Sequence, residues 1–261
     1  MRVLVTGAAA GLGRALAGEL LDRNAEVVGV DLDLQAMDDL VDRGRGAFTA
    51  KRYDLAYPDE VSAMLLALRD KPFDMVILNA GINVTGRFED IPTADHERLI
   101  GVNLKAPLLL ATGLVREGLV GTPDRKGRRQ GRIVFISSLS HVTGYPGACV
   151  YAATKDGVAL FARSLAKDWR KRHGIRLLTV FPGPIRTTHA SRHAPPGAGR
   201  GSRQDPKALA RTILKAARSN KRELYPSLRA QTAAVLGRLF PFFITRVMRR
   251  ALYDRMDGIT R

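Results

Sequence analysis

The chain has 261 residues, 45% of them hydrophobic and 26% charged, a balance that excludes wholesale disorder and allows a large buried core. Its single cysteine, Cys149, excludes an intrachain disulfide and any zinc site built from several cysteines. The net charge of +17 is unevenly spread: residues 1–115 carry 12 basic and 17 acidic side chains, and residues 116–261 carry 30 and 8.

The N-terminus has only a brief apolar run, Val3, Leu4 and Val5, before glycines, alanines and a polar helix, so no signal peptide or transit sequence is expected. No stretch of about 18 uncharged apolar residues predicts a membrane span. The expected location is the cytoplasm. Residues 3–6 read as a strand, and 11–22 carry Leu12, Leu16 and Leu20 at helical spacing. A second strand falls at 26–30, then a polar helix, a third strand at 47–53 and a helix at 58–69, where Pro58 suits the first turn. The apolar run 75–78 is a fourth strand. Two helices are predicted at 93–102 and 105–118, and a fifth strand at 132–136. One long helix over 151–172 precedes a strand at 175–180, a helix at 206–219 and a short strand at 223–225. Helices between strands predict right-handed crossovers and a parallel sheet covered on both faces. The expected fold is α/β, a single doubly wound Rossmann-type domain over 1–226, with a basic, apolar, helical extension at 227–261. Segment 121–131 (GTPDRKGRRQG) reads as a basic loop, and 186–203 is too long for an ordinary connection.

The first strand runs into Thr6, Gly7, Ala8, Ala9, Ala10, Gly11, Leu12 and Gly13 and then a helix. There Gly7 permits a tight turn, Gly11 lets the backbone approach a pyrophosphate, and Gly13 lets the helix pack closely on the strand. The helix N-terminus supplies unpaired N–H groups and a positive dipole end. Asp31 ends the second strand, where an acid accepts hydrogen bonds from ribose hydroxyls and repels a 2′-phosphate. Its close neighbours, such as Ala10 and Leu32, bring no cation to pair with such a phosphate, although Arg14 is near in sequence. NAD is therefore favoured over NADP.

Tyr151 and Lys155 lie four apart near a helix start and share one face. A phenol with a pKa of about 10 is a poor base at neutral pH, and a nearby ammonium, joined by a positive nicotinamide, favours its phenolate. Tyr151 is then able to exchange a proton with an alcohol or carbonyl oxygen while hydride passes to or from the cofactor. Ser138 follows the fifth strand, at the edge where open α/β sheets bind ligands, and its hydroxyl can hold the substrate oxygen.

Taken together, TGAAAGLG at 6–13, Asp54, Asn79-Ala80-Gly81, Asn103, Ser138, YAATK at 151–155 and PGPIRT at 182–187 resemble the classical short-chain dehydrogenase/reductase family. The resemblance covers roughly residues 1–226. It implies a sheet of about seven strands, NAD(P)-dependent alcohol–carbonyl chemistry and assembly as a dimer or tetramer. By the same resemblance Ser138 polarises the substrate oxygen, Tyr151 is the acid/base, and Lys155 lowers the tyrosine pKa and binds the nicotinamide ribose. Asn103 holds a water linking Lys155 to solvent. Asp54 meets the adenine, and Asn79 supports the strand beside the cofactor, with Leu55, Ala80 and Gly81 adjoining it. Pro182 and Gly183 shape a turn from which Ile185 and Thr187 reach the carboxamide. Leu78-Asn79 stands where the family usually has two asparagines. Segment 186–205, where substrate choice usually resides, follows no family pattern.

The remaining features have plainer readings. His189 and His193 lack an evident third ligand, so they read as loop or substrate contacts and no metal is expected. His141 and Tyr145 are expected to line the pocket, by hydrogen bonding or by packing. Trp169 reads as a packing residue, inside the fold or at an oligomer interface. The tail mixes apolar residues with five arginines between Arg229 and Arg250, interrupted by Pro241. It either anchors on anionic headgroups, giving association with a membrane surface, or packs over the substrate pocket or a neighbouring subunit. The arginines lie in loops and tail without an aromatic platform, so specific nucleic-acid recognition is not expected. The leading expectation is an oxidoreductase for a mostly apolar secondary alcohol and its ketone. The alternative is a non-catalytic dinucleotide sensor or scaffold on the same fold, against which stands the complete set of Ser138, Tyr151, Lys155 and Asn103.

Overall fold

Strand β1 (Arg2–Thr6) is buried on both faces, with Val3 and Val5 on one side and Leu4 on the other. A strand of this kind belongs at the centre of a parallel sheet. The computed structural model describes residues 1–123, 127, 129–142, 145–186 and 203–250, with the backbone alone at 122, 123, 129, 141 and 142. From β1 the chain continues through α1 (Gly11–Leu21), β2 (Glu26–Asp31), α2 (Asp38–Gly44), β3 (Phe48–Arg52), α3 (Pro58–Ala67) and β4 (Met75–Leu78). There follow α4 (Thr93–Ile100), α5 (Ala106–Arg116), β5 (Thr122–Pro123), β6 (Arg129–Ile136), α6 (Cys149–His173) and β7 (Ile175–Val180). The last elements are α7 (Pro206–Ala217), β8 (Glu223–Leu224), α8 (Leu228–Leu239) and α9 (Pro241–Met248).

The strands are ordered β3-β2-β1-β4-β6-β7-β8, and these seven pair in parallel. This is the Rossmann-like doubly wound sheet that the alternating elements predict. Its switch point falls between β1 and β4, so their C-terminal ends open a crevice for ligand. One face is covered by Leu12, Leu16 and Leu20 of α1 and by Leu209 and Ile213 of α7. The opposite face is covered by Met64 of α3, Leu110 and Leu114 of α5, and Val158 and Trp169 of α6. Trp169 is a packing residue of this second core, edge-on to Phe161 at 6.2 Å between ring centroids.

Two expectations need correction. The helices predicted at 93–102 and 105–118 are one continuous helix, Thr93–Arg116, whose hydrogen bonding widens to a π turn at Gly101–Lys105. Pro107 explains the widening: it has no N–H for the Asn103 carbonyl four residues back, and its ring crowds that carbonyl. By length and composition this helix could cross a membrane, but 56% of its apolar window is buried within the protein. The basic loop at 121–131 is partly a hairpin, because β6 starts at Arg129 and pairs antiparallel with β5 (Thr122↔Gln130, Pro123↔Arg129). β4 reaches β6 only from Arg132 onward, which leaves an open edge for β5 to fill.

Candidate active site

The turn after β1 is built by backbone contacts. Val30 O accepts from Gly7 N (2.8 Å) and Ala8 N (3.2 Å), and Gly7 sits at φ +68°. A methyl on Gly13 would lie 1.9 Å from Gly7 O and 2.5 Å from Asn79 Nδ2, so α1 touches the turn with no room for a side chain. Helix α1 opens at Ala10 with no side-chain cap, leaving the first N–H groups, at Gly11, Leu12 and Gly13, aimed at the crevice. These residues fit a dinucleotide pyrophosphate, which needs close backbone approach and uncapped amides at a helix N-terminus.

Thr6 and Asn79 lock the turn to β4. Asn79 Nδ2 donates to Thr6 O (3.0 Å) and Gly7 O (3.2 Å), while the amides of Asn79 and Ala80 donate to Thr6 Oγ1 at 3.0 and 3.1 Å. Asp31 accepts from Ala9 N at 3.0 Å and Leu32 N at 2.7 Å, which orients its carboxylate toward the glycine turn. Arg14 is committed to Ala36 O and Asp39. Asp54 accepts from Ala56 N (3.0 Å) and pairs with Arg98 (3.1 Å), while the adjoining Leu55 is packed in the second core. Among these, Arg98 had no signal in the sequence beyond an ordinary helical charge.

The chemical groups converge at the C-terminal ends of β4 and β6. Ser138 follows β6, its Oγ accepts from Ser140 N at 3.2 Å, and it lies near enough to the Tyr151 phenol to favour the ionised form. Tyr151 and Lys155 stand one turn apart on α6, with Lys155 Nζ 5.7 Å from the Tyr151 ring centroid. Nζ donates to Ile136 O (3.0 Å), and Ser137 Oγ donates to Lys155 O (2.7 Å), so strand and helix are stitched at the site. Burial lowers the Lys155 pKa to about 8. Burial pushes the Tyr151 phenol up; the Ser138 hydroxyl opposes this and the nearby Tyr145 adds to it. The expectation had Lys155 bringing the phenol down; in the protein alone desolvation dominates.

Asn103 sits in the π turn, 1% exposed, with Oδ1 accepting from Ile82 N and Nδ2 donating to Ile82 O, both at 2.8 Å. This double bond pins the segment after β4, and a methyl on Gly81 would lie 3.1 Å from Lys155 Nζ and 3.3 Å from Asn103 Oδ1. Thr154 completes the group, donating to Tyr151 O at 2.8 Å. Ser137 and Thr154 were missed from sequence; their only signal was adjacency to Ser138 and Lys155. After β7, Pro182 O accepts from Leu139 N at 3.1 Å, and a methyl on Gly183 would only graze Leu139 at 3.4 Å. Ile185 bridges Gln204, and Arg186 N donates to Gln204 O (3.0 Å) and Gln204 N to Pro184 O (2.9 Å), which brings the described residues on either side of 187–202 together. Thr187, His189 and His193 lie outside the described residues, as does the His141 side chain. A cavity of about 410 Å³ lined by Val115, Val120, His173 and Ile175 lies at the opposite edge of the sheet and holds none of these groups.

A serine, a tyrosine and a buried lysine beside a glycine turn at a helix N-terminus suit an oxidoreductase acting on CH–OH or C=O groups with a nicotinamide dinucleotide. Comparison with known proteins narrows the class. The short chain dehydrogenase family model matches residues 1–196, and the chain belongs to that family. It is 32% identical over 190 residues to the 3-oxoacyl-[acyl-carrier-protein] reductase FabG of Vibrio cholerae, covering 70% of this chain and 73% of the relative. It is also 32% identical over 197 residues to gluconate 5-dehydrogenase of Gluconobacter oxydans, covering 73% of each. A short-chain dehydrogenase from Sphingobium yanoikuyae, solved with NADPH, superposes with a TM-score of 0.76 at 27% identity, covering 90% of this chain and 92% of that one.

Proposed function

We propose that this enzyme interconverts a secondary alcohol and a ketone on a mostly apolar substrate, with NAD as its preferred cofactor. The observation that carries the reaction is the convergence of Ser138 and Tyr151 with the buried Lys155, whose Nζ lies 5.7 Å from the Tyr151 ring centroid and is held at 3.0 Å by Ile136 O. NAD, when bound, accepts or supplies the hydride. Ser138 Oγ holds the substrate oxygen and Tyr151 Oη exchanges its proton. Lys155, with a pKa of about 8, is still largely charged at neutral pH, favours the phenolate and binds ribose hydroxyls. Asn103 holds the chain around Ile82 and Gly81 beside the ammonium and, on the family pattern, the water that links Lys155 to solvent. The residues that hold the dinucleotide are Gly7 and Gly11–13 at the pyrophosphate, Asp31 at the adenosine ribose, Asp54 near the adenine and Ile185 near the carboxamide.

The preference for NAD rests on Asp31, whose carboxylate repels a 2′-phosphate, and on Arg14, whose guanidinium is already engaged by Asp39. NADPH, present in the Sphingobium enzyme, is the competing reading. Calorimetric titration of NAD(H) and NADP(H) into wild type and Asp31→Ala separates them: tight NAD(H), weak NADP(H) and relaxed discrimination in the variant are expected. Tighter NADP(H) binding by wild type would overturn the preference. Tyr151→Phe is expected to keep cofactor affinity and lose turnover by about a hundredfold or more. Retained turnover would remove Tyr151 from the chemistry. Self-association is proposed through α5 and α6, whose outward faces carry Leu109 and Leu160 at 43% and 58% exposure, and light-scattering mass reads it directly.

A further inference from the structure

Helix α8 carries apolar side chains on the side facing away from the protein. Its buried residues are the small ones, Ala230, Ala234 and Gly237, spaced i, i+4 and i+7, and the helix packs against the turn Leu139–Val142 that follows Ser138. Leu228, Val235 and Leu239 form a second stripe at i, i+7 and i+11, roughly half a turn round the helix from the first. They are 79%, 55% and 65% exposed. The chain then bends at Phe240 and Pro241 into α9, which has no buried residue and leaves Phe242 90% exposed, with Phe243 and Val247 also open. Single exposed apolar side chains are ordinary, but a run of them along two consecutive helices marks an interaction surface.

Helix α8 is held against the body of the protein. Ser227 Oγ caps α8 by accepting from Ala230 N at 3.1 Å. Arg238 donates to Tyr225 Oη at 2.8 Å, and Tyr225 stacks on Phe181 at 4.7 Å between centroids. The occupant follows from charge. Residues 226–250 contain Arg229, Arg238, Arg246, Arg249 and Arg250 and no acidic residue. A second copy meeting this face about a two-fold axis would set Arg246, Arg249 and Arg250 against arginines, and the Glu223 carboxylate beside α8 is already engaged by Arg163 and Arg238. An anionic lipid surface complements both components: headgroups meet the arginines, and acyl chains accept the phenylalanines and leucines.

We propose that the outward face of α8 and α9 docks the enzyme on an anionic lipid surface. Because α8 borders the turn that follows Ser138, docking sets the mouth of the site beside the acyl layer, so the substrate class is a lipid-borne alcohol or ketone. This second statement rests on the oxidoreductase reading; the docking itself does not. The test is co-sedimentation of the full chain with vesicles of phosphatidylcholine, alone or mixed with phosphatidylglycerol. NAD(H) affinity and light-scattering mass are measured on the same preparations. Wild type is expected to bind the mixed vesicles at least about tenfold better than the neutral ones, and to lose that advantage in high salt. Phe242→Ser with Phe243→Ser is expected to lower binding by about tenfold with cofactor affinity unchanged. These side chains are exposed, so folding is spared, and Arg246→Gln with Arg250→Gln should weaken binding to the mixed vesicles alone. Failure of wild type to bind anionic vesicles overturns the proposal, as does undiminished binding by the serine variant. A serine variant that changes the solution mass of a non-binding wild type would assign the face to a neighbouring copy. Vesicle binding without NAD(H) binding would sink the oxidoreductase reading and leave the docking intact.

Discussion

Replacing Lys155 by methionine is expected to stabilise the protein at neutral pH while ending turnover. Burial moves the ammonium from 10.5 to about 8. At about 1.4 kcal/mol per pKa unit, the folded state at pH 7 disfavours that charge by roughly 3 kcal/mol. Methionine removes this penalty but also the bond to Ile136 O, at a cost of about 1 kcal/mol, so a net gain of about 2 kcal/mol remains. The pH dependence identifies the cause. Above 10.5 the lysine is neutral in both states and carries no penalty. As the pH falls from 10.5 to about 8 the unfolded chain takes up the proton first, so wild type loses stability; below about 8 the loss is complete and constant. Tyr151, with its phenol pushed up, adds a term that weakens the fold only above its ordinary range near 10, so measurement stays below that. Urea unfolding of both proteins at pH 7 and pH 9.5 should show the variant's advantage shrinking by about 2 kcal/mol. A difference that is flat with pH, or a variant less stable at pH 7, would refute desolvation of the ammonium.

Three further outcomes are expected. Gly13→Ala puts a methyl 1.9 Å from Gly7 O, so α1 must shift, and calorimetry should show NAD(H) affinity down at least about tenfold with a loss of roughly 2 kcal/mol in stability. Asn103→Ala strips both partners from the Ile82 backbone and should cost about 2–4 kcal/mol in urea unfolding. Arg132 is the register partner of Arg176, and its Nε is buried without a hydrogen bond among the described residues, with Arg176 and Arg218 both repelling it. Arg176→Glu should therefore raise stability by about 0.5–1 kcal/mol, a gain that shrinks in molar salt.

The strands and the glycine turn were legible because each rests on local chemistry: apolar runs of strand length, and a turn that only glycine can enter. Less local features escaped. Residues 93–102 and 105–118 read as two helices, but a shift of one residue in the hydrogen bonding accommodates Pro107 and keeps the axis continuous. Periodicity cannot register such a shift. The hairpin at β5 exists because β4 is too short to cover the start of β6, a fact about neighbours far away in the chain. Helix α8 defeats the usual rule for a different reason: its inward face is made of alanine and glycine, so the apolar stripe in the sequence marks the outside. The Thr6–Asn79 lock spans more than 70 positions and joins two residue types that alone mean little.

On the proposed function, chemistry and specificity fall to different parts of the chain. Ser137 Oγ holds Lys155 O, and Lys155 Nζ holds Ile136 O, so the first turns of α6 cannot slide along β6. Ser138 is the next residue after Ser137, two beyond the end of β6, and Tyr151 lies one helical turn before Lys155. Their separation is thus set by a doubly bonded strand–helix pair whose flanking residues lie in the core. Asn103 adds a third point from the π turn and Gly81 a fourth from the end of β4. Groups placed this way present the same proton and charge geometry to any carbonyl that enters. On the same proposal, recognition of the rest of the substrate falls to what adjoins them: the segment whose ends meet at Ile185 and Gln204, and the outward helices near the turn that follows Ser138. Grafting residues 186–205 of a relative into this chain should therefore change KM and substrate range while leaving the pH profile of turnover in place. A moved pH profile would mean that the segment reaches Tyr151 or Lys155 and that the two roles are not separable.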